Sequence, residues 1–551
     1  MTNPARGGLM LQVLLAGAIS AIVLPPAATR AQVPSTAATA GYRIAGRVVN
    51  SVTGEAVPGA TLSAFDEEGN QVFASAIADQ EGRFSIDHVP AGKYPLSASK
   101  RGYLTGYYDQ HGDFNSAVVT GEGQDTANLV FQFTPSGVLR GVITDDGGDP
   151  VEGATVMLFK RSDATATAQH MRHMTNAATD DTGAYEFAGL EPGEYMVAVQ
   201  AVAWYAQNAT ASPSAAPNPL DVAYPVTYFD STTDEGAAQP ITLDSGAREE
   251  ADIVLHAVPA LHFTMRVPAQ TIRGDRFAPI EMRQSVFGNE ISARTAMRGP
   301  SPDSPQMIEF TGLAPGRYEL QQGEPAHILQ LNAVTSGEID PTAGTLAPPV
   351  SGTLRTSNGT ALPDEINLVL APADGGHQGV VAGAHKGRFQ FDAVPAGEWT
   401  LAATSAGGAA QSLSVVGIST AGKETAGDRL TVADRPLSLV VTVSSASTRV
   451  KGFARTGGKA APGAMIVLVP RDASAWPSLA RRDQSDTDGS FGLADVPAGR
   501  YTVIAIEDGW KLDWQNRDVI ARYLPGGEPV TITDQSGAVV QLARPVEAVA
   551  R

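Results

Sequence analysis

The stretch Asp79-Gln80-Glu81-Gly82-Arg83-Phe84-Ser85-Ile86-Asp87-His88-Val89-Pro90-Ala91-Gly92-Lys93-Tyr94-Pro95-Leu96 reads as turn, strand, turn, strand. Gly82 can take the positive φ that a tight turn requires. Phe84 and Ile86 alternate with polar residues, so one face of the first strand is apolar. Pro90-Ala91-Gly92 interrupts it with turn residues, after which Tyr94, Leu96 and Ala98 resume the alternation. The unit predicts a hairpin whose two strands face one core.

The unit occurs five times. Gly183, Tyr185, Phe187, Leu190, Pro192, Gly193 and Tyr195 repeat it, and Phe310, Leu313, Pro315, Gly316 and Tyr318 do so in shorter form. Gly387, Phe389, Phe391, Val394, Pro395, Gly397 and Trp399 form a fourth copy, and Gly489, Phe491, Leu493, Val496, Pro497, Gly499 and Tyr501 a fifth. Such a recurrence sets the architecture before any local reading does. The spacing exceeds that of a solenoid, so each copy is expected to carry its own core, with Tyr94, Tyr195, Tyr318, Trp399 and Tyr501 inside it.

Composition agrees with an all-β chain. The 551 residues include 57 Gly and 37 Pro, many of them between short apolar runs. The 39 Lys+Arg stand against 58 Asp+Glu, a net charge of −19. That surface repels nucleic acid and anionic headgroups, and no nucleic-acid partner is expected. There is no Cys, so neither disulfides nor lipid attachment can brace the domains. Residues 1–31 resemble a secretory signal peptide: Arg6 precedes an apolar run over 9–24, and Thr29-Arg30-Ala31 offers small residues at the cleavage-determining positions. Cleavage is expected before Gln32, which leaves a mature chain with no transmembrane segment. Periplasmic, cell-surface or extracellular placement follows.

The openings repeat as well. Ile44-Ala45-Gly46-Arg47-Val48 precedes Val57-Pro58-Gly59-Ala60-Thr61-Leu62, and Leu139-Arg140-Gly141-Val142 precedes Val151-Glu152-Gly153-Ala154-Thr155. Val350-Ser351-Gly352 and Val450-Lys451-Gly452 open the fourth and fifth copies, whereas the third has only Leu261-His262-Phe263-Thr264-Met265. A glycine-centred opening strand, a Pro-x-x-Gly-Ala strand and the Gly-x-Phe…Pro-x-Gly-x-Tyr unit together resemble the carboxypeptidase regulatory-like domain. That family is similar to transthyretin and to the B-type repeats of collagen-binding adhesins, and to carbohydrate-binding-like sandwiches. The resemblance implies Ig-like or prealbumin-like Greek-key β-sandwiches of about 80–100 residues. After a linker over 32–40, the expected sandwiches span 41–136, 137–258, 259–346 (degenerate), 347–446 and 447–547. Short linkers such as 341–349 are expected to keep the array extended but jointed.

Reactive chemistry is sparse. None of the nine His has Glu three residues on, as a zinc carboxypeptidase site requires. His170 and His173, with Met171 and Met174, could hold a soft metal on a helical turn, though a solvated loop over 164–178 is the plainer reading. Asp483, Asp486 and Asp488 resemble part of a calcium loop but lack its spacing and distal Glu, so turn capping is favoured. No metal, cofactor or catalytic residue is expected, and the chain is read as non-enzymatic. In the adhesin relatives a first-strand Lys bonds to a last-strand Asn. Lys451 has no such Asn in Val539-Val540-Gln541-Leu542, and no isopeptide bond is expected.

Aromatic insertions follow the repeat unit in three copies. Trp510, Trp514 and Tyr523 form the strongest cluster, with Tyr107 and Tyr108 next and Trp204-Tyr205 in the second copy. Flat sugar faces stack on such rings, which makes these five residues of the first and fifth copies candidate carbohydrate contacts. The competing reading has the rings covering the open ends of their own sandwiches. The sequence therefore predicts a non-catalytic binding or spacer array. Polysaccharide binding, or service as an accessory subunit to an envelope protein, are the alternatives.

Overall fold

The computed structural model describes residues 41–551 apart from 67–70, 162–170, 208–217, 267–271, 274–275, 278–279, 300–306, 323–326, 374–378, 406–411, 445–447, 477 and 534–536. The signal-peptide and linker readings and His170 thus lie outside the described residues. The architecture is all-β, with hydrophobic cores following one another along the chain. The first runs from Ile44 to Phe133 and the second from Leu139 to Leu255. The third extends from Leu261 to Ile339, the fourth from Val350 to Val443 and the fifth from Val450 to Ala548. Among the described residues no helix is long and apolar enough to cross a membrane.

Each sandwich builds one sheet around its opening strand. Tyr42–Asn50 lies between Arg83–Val89, antiparallel, and Leu129–Phe133, parallel. Leu261–Arg266 is flanked in the same way by Met307–Leu313 and Gly337–Ile339, so the third copy keeps the topology that its sequence barely signals. Being central, the opening strand is crowded. A Cβ on Gly141 would stand 2.2 Å from the Ala251 carbonyl oxygen, and one on Gly452 would stand 2.5 Å from the Phe491 ring. Glycine is required by close approach there. The third sandwich places Met265 at this register position, opposite Ile308.

The two arms of the repeated unit are not a hairpin. Arg83–Val89 bonds to the opening strand, whereas Leu96–Ser99 bonds to Thr61–Phe65 in the other sheet. The second and fifth copies do likewise: Ala184–Leu190 pairs with Gly137–Asp145 and Gly193–Gln200 with Thr155–Arg161, while Ser490–Val496 pairs with Thr448–Thr456 and Gly499–Glu507 with Met465–Pro470. The arms face each other across the core as an arch, which joins the two sheets of a sandwich. Local alternation is the same for an arch and a hairpin. The difference lies in which distant strand each arm meets.

The ring on the second arm locks the arch. Tyr195 Oη donates to the Glu191 carbonyl at 2.7 Å, Tyr318 Oη to Ala314 at 2.7 Å and Tyr501 Oη to Pro497 at 3.0 Å. Trp399 uses Nε1 for the same bond, to Pro395 at 3.0 Å, and Tyr94 reaches Pro90 at 3.3 Å. All five rings are buried, and each polar tip finds the carbonyl four residues back. Burial pushes the Tyr195 and Tyr501 phenols up to about 12. One residue before the first arm ends the backbone takes a positive φ: His88 at 62°, Gly189 at 73°, Gly312 at 74° and Asp495 at 49°.

Neighbouring sandwiches are not independent beads. The second and third share an apolar cluster in which Phe287 lies 5.2 Å from Phe159 and 5.0 Å from Tyr228, with Met157, Met196 and Val286 around them. Asn289 Nδ2 donates to the Met171 carbonyl at 2.8 Å across the same contact.

Candidate functional site

The first and fifth sandwiches touch. An array held extended would keep them apart, so the expectation of an extended spacer does not hold for these two. The contact is made by residues 109–120 of the first sandwich, which lead into the strand Val118–Thr120, and by the edge strand Arg481–Gln484 with the turn that follows it. The Thr487 N–H donates to the Ala117 carbonyl at 3.1 Å. In return the Ala117 N–H donates to Asp486 Oδ1 at 2.9 Å and the Val119 N–H to Thr487 Oγ1 at 2.8 Å. Lys93 Nζ pairs with Asp486 Oδ2 at 2.5 Å, with both side chains largely shielded from solvent. Ser116 Oγ donates to the Ser485 carbonyl at 2.8 Å. Gln484 Nε2 bonds to Ser116 Oγ at 2.9 Å and to the Asp109 carbonyl, while its Oε1 lies 3.1 Å from His111 Nδ1.

An aromatic ladder continues the seam. His111 stacks on Trp510 at 5.1 Å and 9° between planes, and Phe114 lies 5.5 Å from the same indole. The Arg482 guanidinium stands 4.1 Å from the Trp514 ring and 5.0 Å from the Phe114 ring, so one cation faces a ring from each sandwich. Trp510 Nε1 donates to the Gly463 carbonyl at 2.9 Å. Desolvation pushes the Asp483 carboxyl up to about 6, against the N–H donors of Gly492 and Gln484 that favour its charge. Desolvation also raises Asp486, against the opposing pull of Lys93.

The sequence-predicted aromatics separate into several places. Trp510 and Trp514 stand in the seam, and Trp514 also meets Trp476 edge-on at 6.0 Å. Tyr523 is buried beneath them in the cluster of Met465, Val467, Ile504 and Ile520. Tyr107 and Tyr108 instead line a groove of about 580 Å³ between the first and second sandwiches, together with Gln132, Lys160 and Glu191. Tyr107 is 37% exposed, whereas Tyr108 packs against the first core, 6.2 Å from Phe131, and its phenol is raised chiefly by that burial. Trp204 is 82% exposed, with Tyr205 edge-on at 5.6 Å.

The metal readings resolve into other roles. His173 sits on the strand Met171–Ala178 rather than a helical turn or a solvated loop, with Nε2 at 2.7 Å from Asn176 Oδ1. Asp483 accepts from the Gly492 N–H at 2.6 Å, Asp486 holds Lys93, and Asp488 Oδ1 accepts from the Ser490 N–H at 2.9 Å. Lys93, His111, Ser116, Arg482 and Gln484 were not singled out from sequence. Nothing local marks them, because their partners lie some 370 residues or more away in the chain.

Comparison with known proteins adds a family and a set of distant folds. Residues 43–134 and 138–256 match the carboxypeptidase regulatory-like domain. No curated protein matches the chain. Similar solved structures include the Bacillus anthracis TIE protein, at 10% identity over 92% of this chain and 73% of that one, with a TM-score of 0.16. The minor pilin of Streptococcus agalactiae is 16% identical over 40% of this chain and 97% of its own, with a TM-score of 0.19. The major pilin subunit of Bacillus cereus is 12% identical over 75% and 99% respectively, with a TM-score of 0.14. The family match thus covers the first two sandwiches, residues 43–134 and 138–256.

Proposed function

We propose that this is an exported, non-catalytic scaffold that presents a binding surface to a partner in the cell envelope, with its first and fifth sandwiches docked on each other. The observation that carries this reading is the seam: Lys93–Asp486, Gln484 and the His111–Trp510 stack commit a group of polar and aromatic side chains to internal docking. The apolar stretch over 9–24 supports export. A carbodiimide, which joins an amine to a carboxylate in direct contact, is expected to link Lys93 to Asp486 in the purified protein, detected as a joined peptide by mass spectrometry. Pull-down from native envelope is then expected to retain a partner that the Lys93→Glu variant binds less well. Failure of the cross-link removes the docked scaffold; turnover of a peptide or glycan by the purified protein removes the non-catalytic reading.

A second reading rests on the groove at Tyr107. Its half-open ring, with the Gln132 amide and the Lys160–Glu191 pair nearby, suits a polysaccharide segment: a ring for the C–H face and polar groups for the hydroxyls. A glycan array on the intact protein tests it, with binding expected to fall at least tenfold in Tyr107→Ala. An array without signal eliminates it.

A further inference from the structure

Each sandwich has an outer strand that follows its second strand: Val72–Ile77, Met171–Ala178, Asn289–Ser292, Val380–His385 and Arg481–Gln484. Four of them are covered. Arg481–Gln484 is capped by the first sandwich through Gln484. Met171–Ala178 and Asn289–Ser292 meet each other, with Met171, Phe287 and Ile291 in one apolar cluster and Asn289 bonded to the Met171 carbonyl. Val380–His385 is bonded on its far side to Arg388–Phe391. Val72–Ile77 pairs with Thr61–Phe65, and among the described residues no other strand is hydrogen-bonded to its free edge.

That free edge is apolar and uncharged. Val72 is 55% exposed, Phe73 44% and Ile77 72%. Residues 71–78 (Gln-Val-Phe-Ala-Ser-Ala-Ile-Ala) contain no charged side chain, in a protein of net charge −19. Edge strands that must stay single are normally guarded by lysine, proline or a cover, and among the described residues this one has none of the three.

We propose that Val72–Ile77 is a self-association edge, at which two copies of this chain pair antiparallel about a two-fold axis. This goes beyond the scaffold reading, which concerns docking within one chain. A second copy is the fitting occupant on two grounds. The chain already sets one such outer strand against another, at Met171–Ala178 and Asn289–Ser292. Two copies that repel through their acidic surfaces can approach closely only along an uncharged strip. Ser75 lies at the centre of the strand, on the outer face where its Oγ meets Ser63 Oγ at 2.9 Å. A pairing centred there sets Ile77 of one copy beside the Val72-Phe73 end of the other, and Ser75 opposite its own counterpart.

Light scattering of the purified protein over a dilution series is expected to show a dimer that dissociates on dilution. Ile77→Lys, a change at a position already in solvent, is expected to give a monomer with an unchanged melting temperature. The protein has no native Cys, so Ser75→Cys is expected to form a covalent dimer on mild oxidation, while a cysteine at exposed Thr53 does not. A monomer at the highest soluble concentration overturns the proposal. A dimer indifferent to Ile77→Lys overturns it too, as does a dimer that Ser75→Cys fails to link. Should Ile77→Lys unfold the first sandwich, the Ser75→Cys cross-link alone decides.

Discussion

The Asp-x-x-Gly turns that lead into the arches of the second and fifth sandwiches share a spacing and end in different employment. In the second, Asp180 Oδ1 accepts from the Thr182 and Ala184 N–H groups at 2.9 Å each and closes its own turn. In the fifth, the turn is still closed by the backbone, the Gly489 N–H donating to the Asp486 carbonyl at 2.8 Å, but the carboxylate points outward to Lys93 and the Ala117 N–H. The glycines are alike, at φ 74° and 81°. A repeat thus keeps its backbone and reassigns a side chain, and Asp488 takes over as cap. The electrostatics follow. The Thr182 hydroxyl and the N–H donors hold the exposed Asp180 carboxyl below its ordinary value, whereas desolvation raises Asp486.

The largest effect tests what the two copies share. Tyr501→Ala and Tyr195→Ala are each expected to cost about 3–5 kcal/mol in their own sandwich, as for other large aromatic truncations. Domain-resolved denaturation checks this, and a loss in only one of the two would break the equivalence. Next comes what they do not share. Asp486→Ala strands Lys93 and the Ala117 N–H, and is expected to cost about 1.5–3 kcal/mol of docking. Asp180→Ala should leave docking untouched. Cross-linking yield and protease sensitivity of residues 109–117 report the difference, and equal responses to both changes would show the seam to be incidental.

Acidity separates the same regions. Asp483 titrates near 6 when folded, above the unfolded 3.8, so the folded fifth sandwich binds the proton more tightly. Its contribution is complete below the unfolded value and is lost as pH rises through about 6. Asp180, lowered when folded, contributes above its unfolded value and loses that contribution as pH falls. Between pH 7 and 5 the melting temperature of the fifth sandwich should therefore rise while that of the second does not. Asp483→Asn should flatten the rise; a rise that survives it has another source. The smallest effect concerns the left-handed residue near the end of the first arm. Gly189 fills in the second sandwich the left-handed position that Asp495 fills in the fifth. Asp495→Gly is expected to stabilise the fifth sandwich by up to about 1 kcal/mol, and Gly189→Asp to do the reverse. A chemical melt resolves both.

The repeat was legible because its determinants are local. Phe84 and Ile86 fall on one face by simple alternation, and Gly82 is forced by a turn whose Cβ would sit 2.6 Å from the Val48 carbonyl oxygen. The five buried rings follow from the same alternation. The arch could not be told from a hairpin, since pairing partners such as Tyr42–Asn50 and Thr61–Phe65 are set by tertiary packing. The seam was harder still. Asp486 and Asp180 both open an Asp-x-x-Gly turn, and the difference in what they bind is supplied by Lys93 at the other end of the chain. The aromatic insertions were visible as a class, but which rings would face a sister domain (Trp510, Trp514), a core (Tyr523) or a groove (Tyr107) depends on that distant docking.

The two kinds of inter-sandwich contact also differ in when they can form. Phe287 meets Phe159 as soon as the third sandwich follows the second out of the ribosome or across a membrane. Lys93 and Asp486 are separated by 393 positions, which at synthesis rates of about 5–20 residues per second is a wait of roughly 20–80 seconds. During that interval the first sandwich must present its half of the seam to water. Lysine, serine, backbone amide, one histidine and a single phenylalanine, Phe114, tolerate such a delay, where a wide oily patch would recruit strangers. The polar character of the long-range junction is thus suited to being made last.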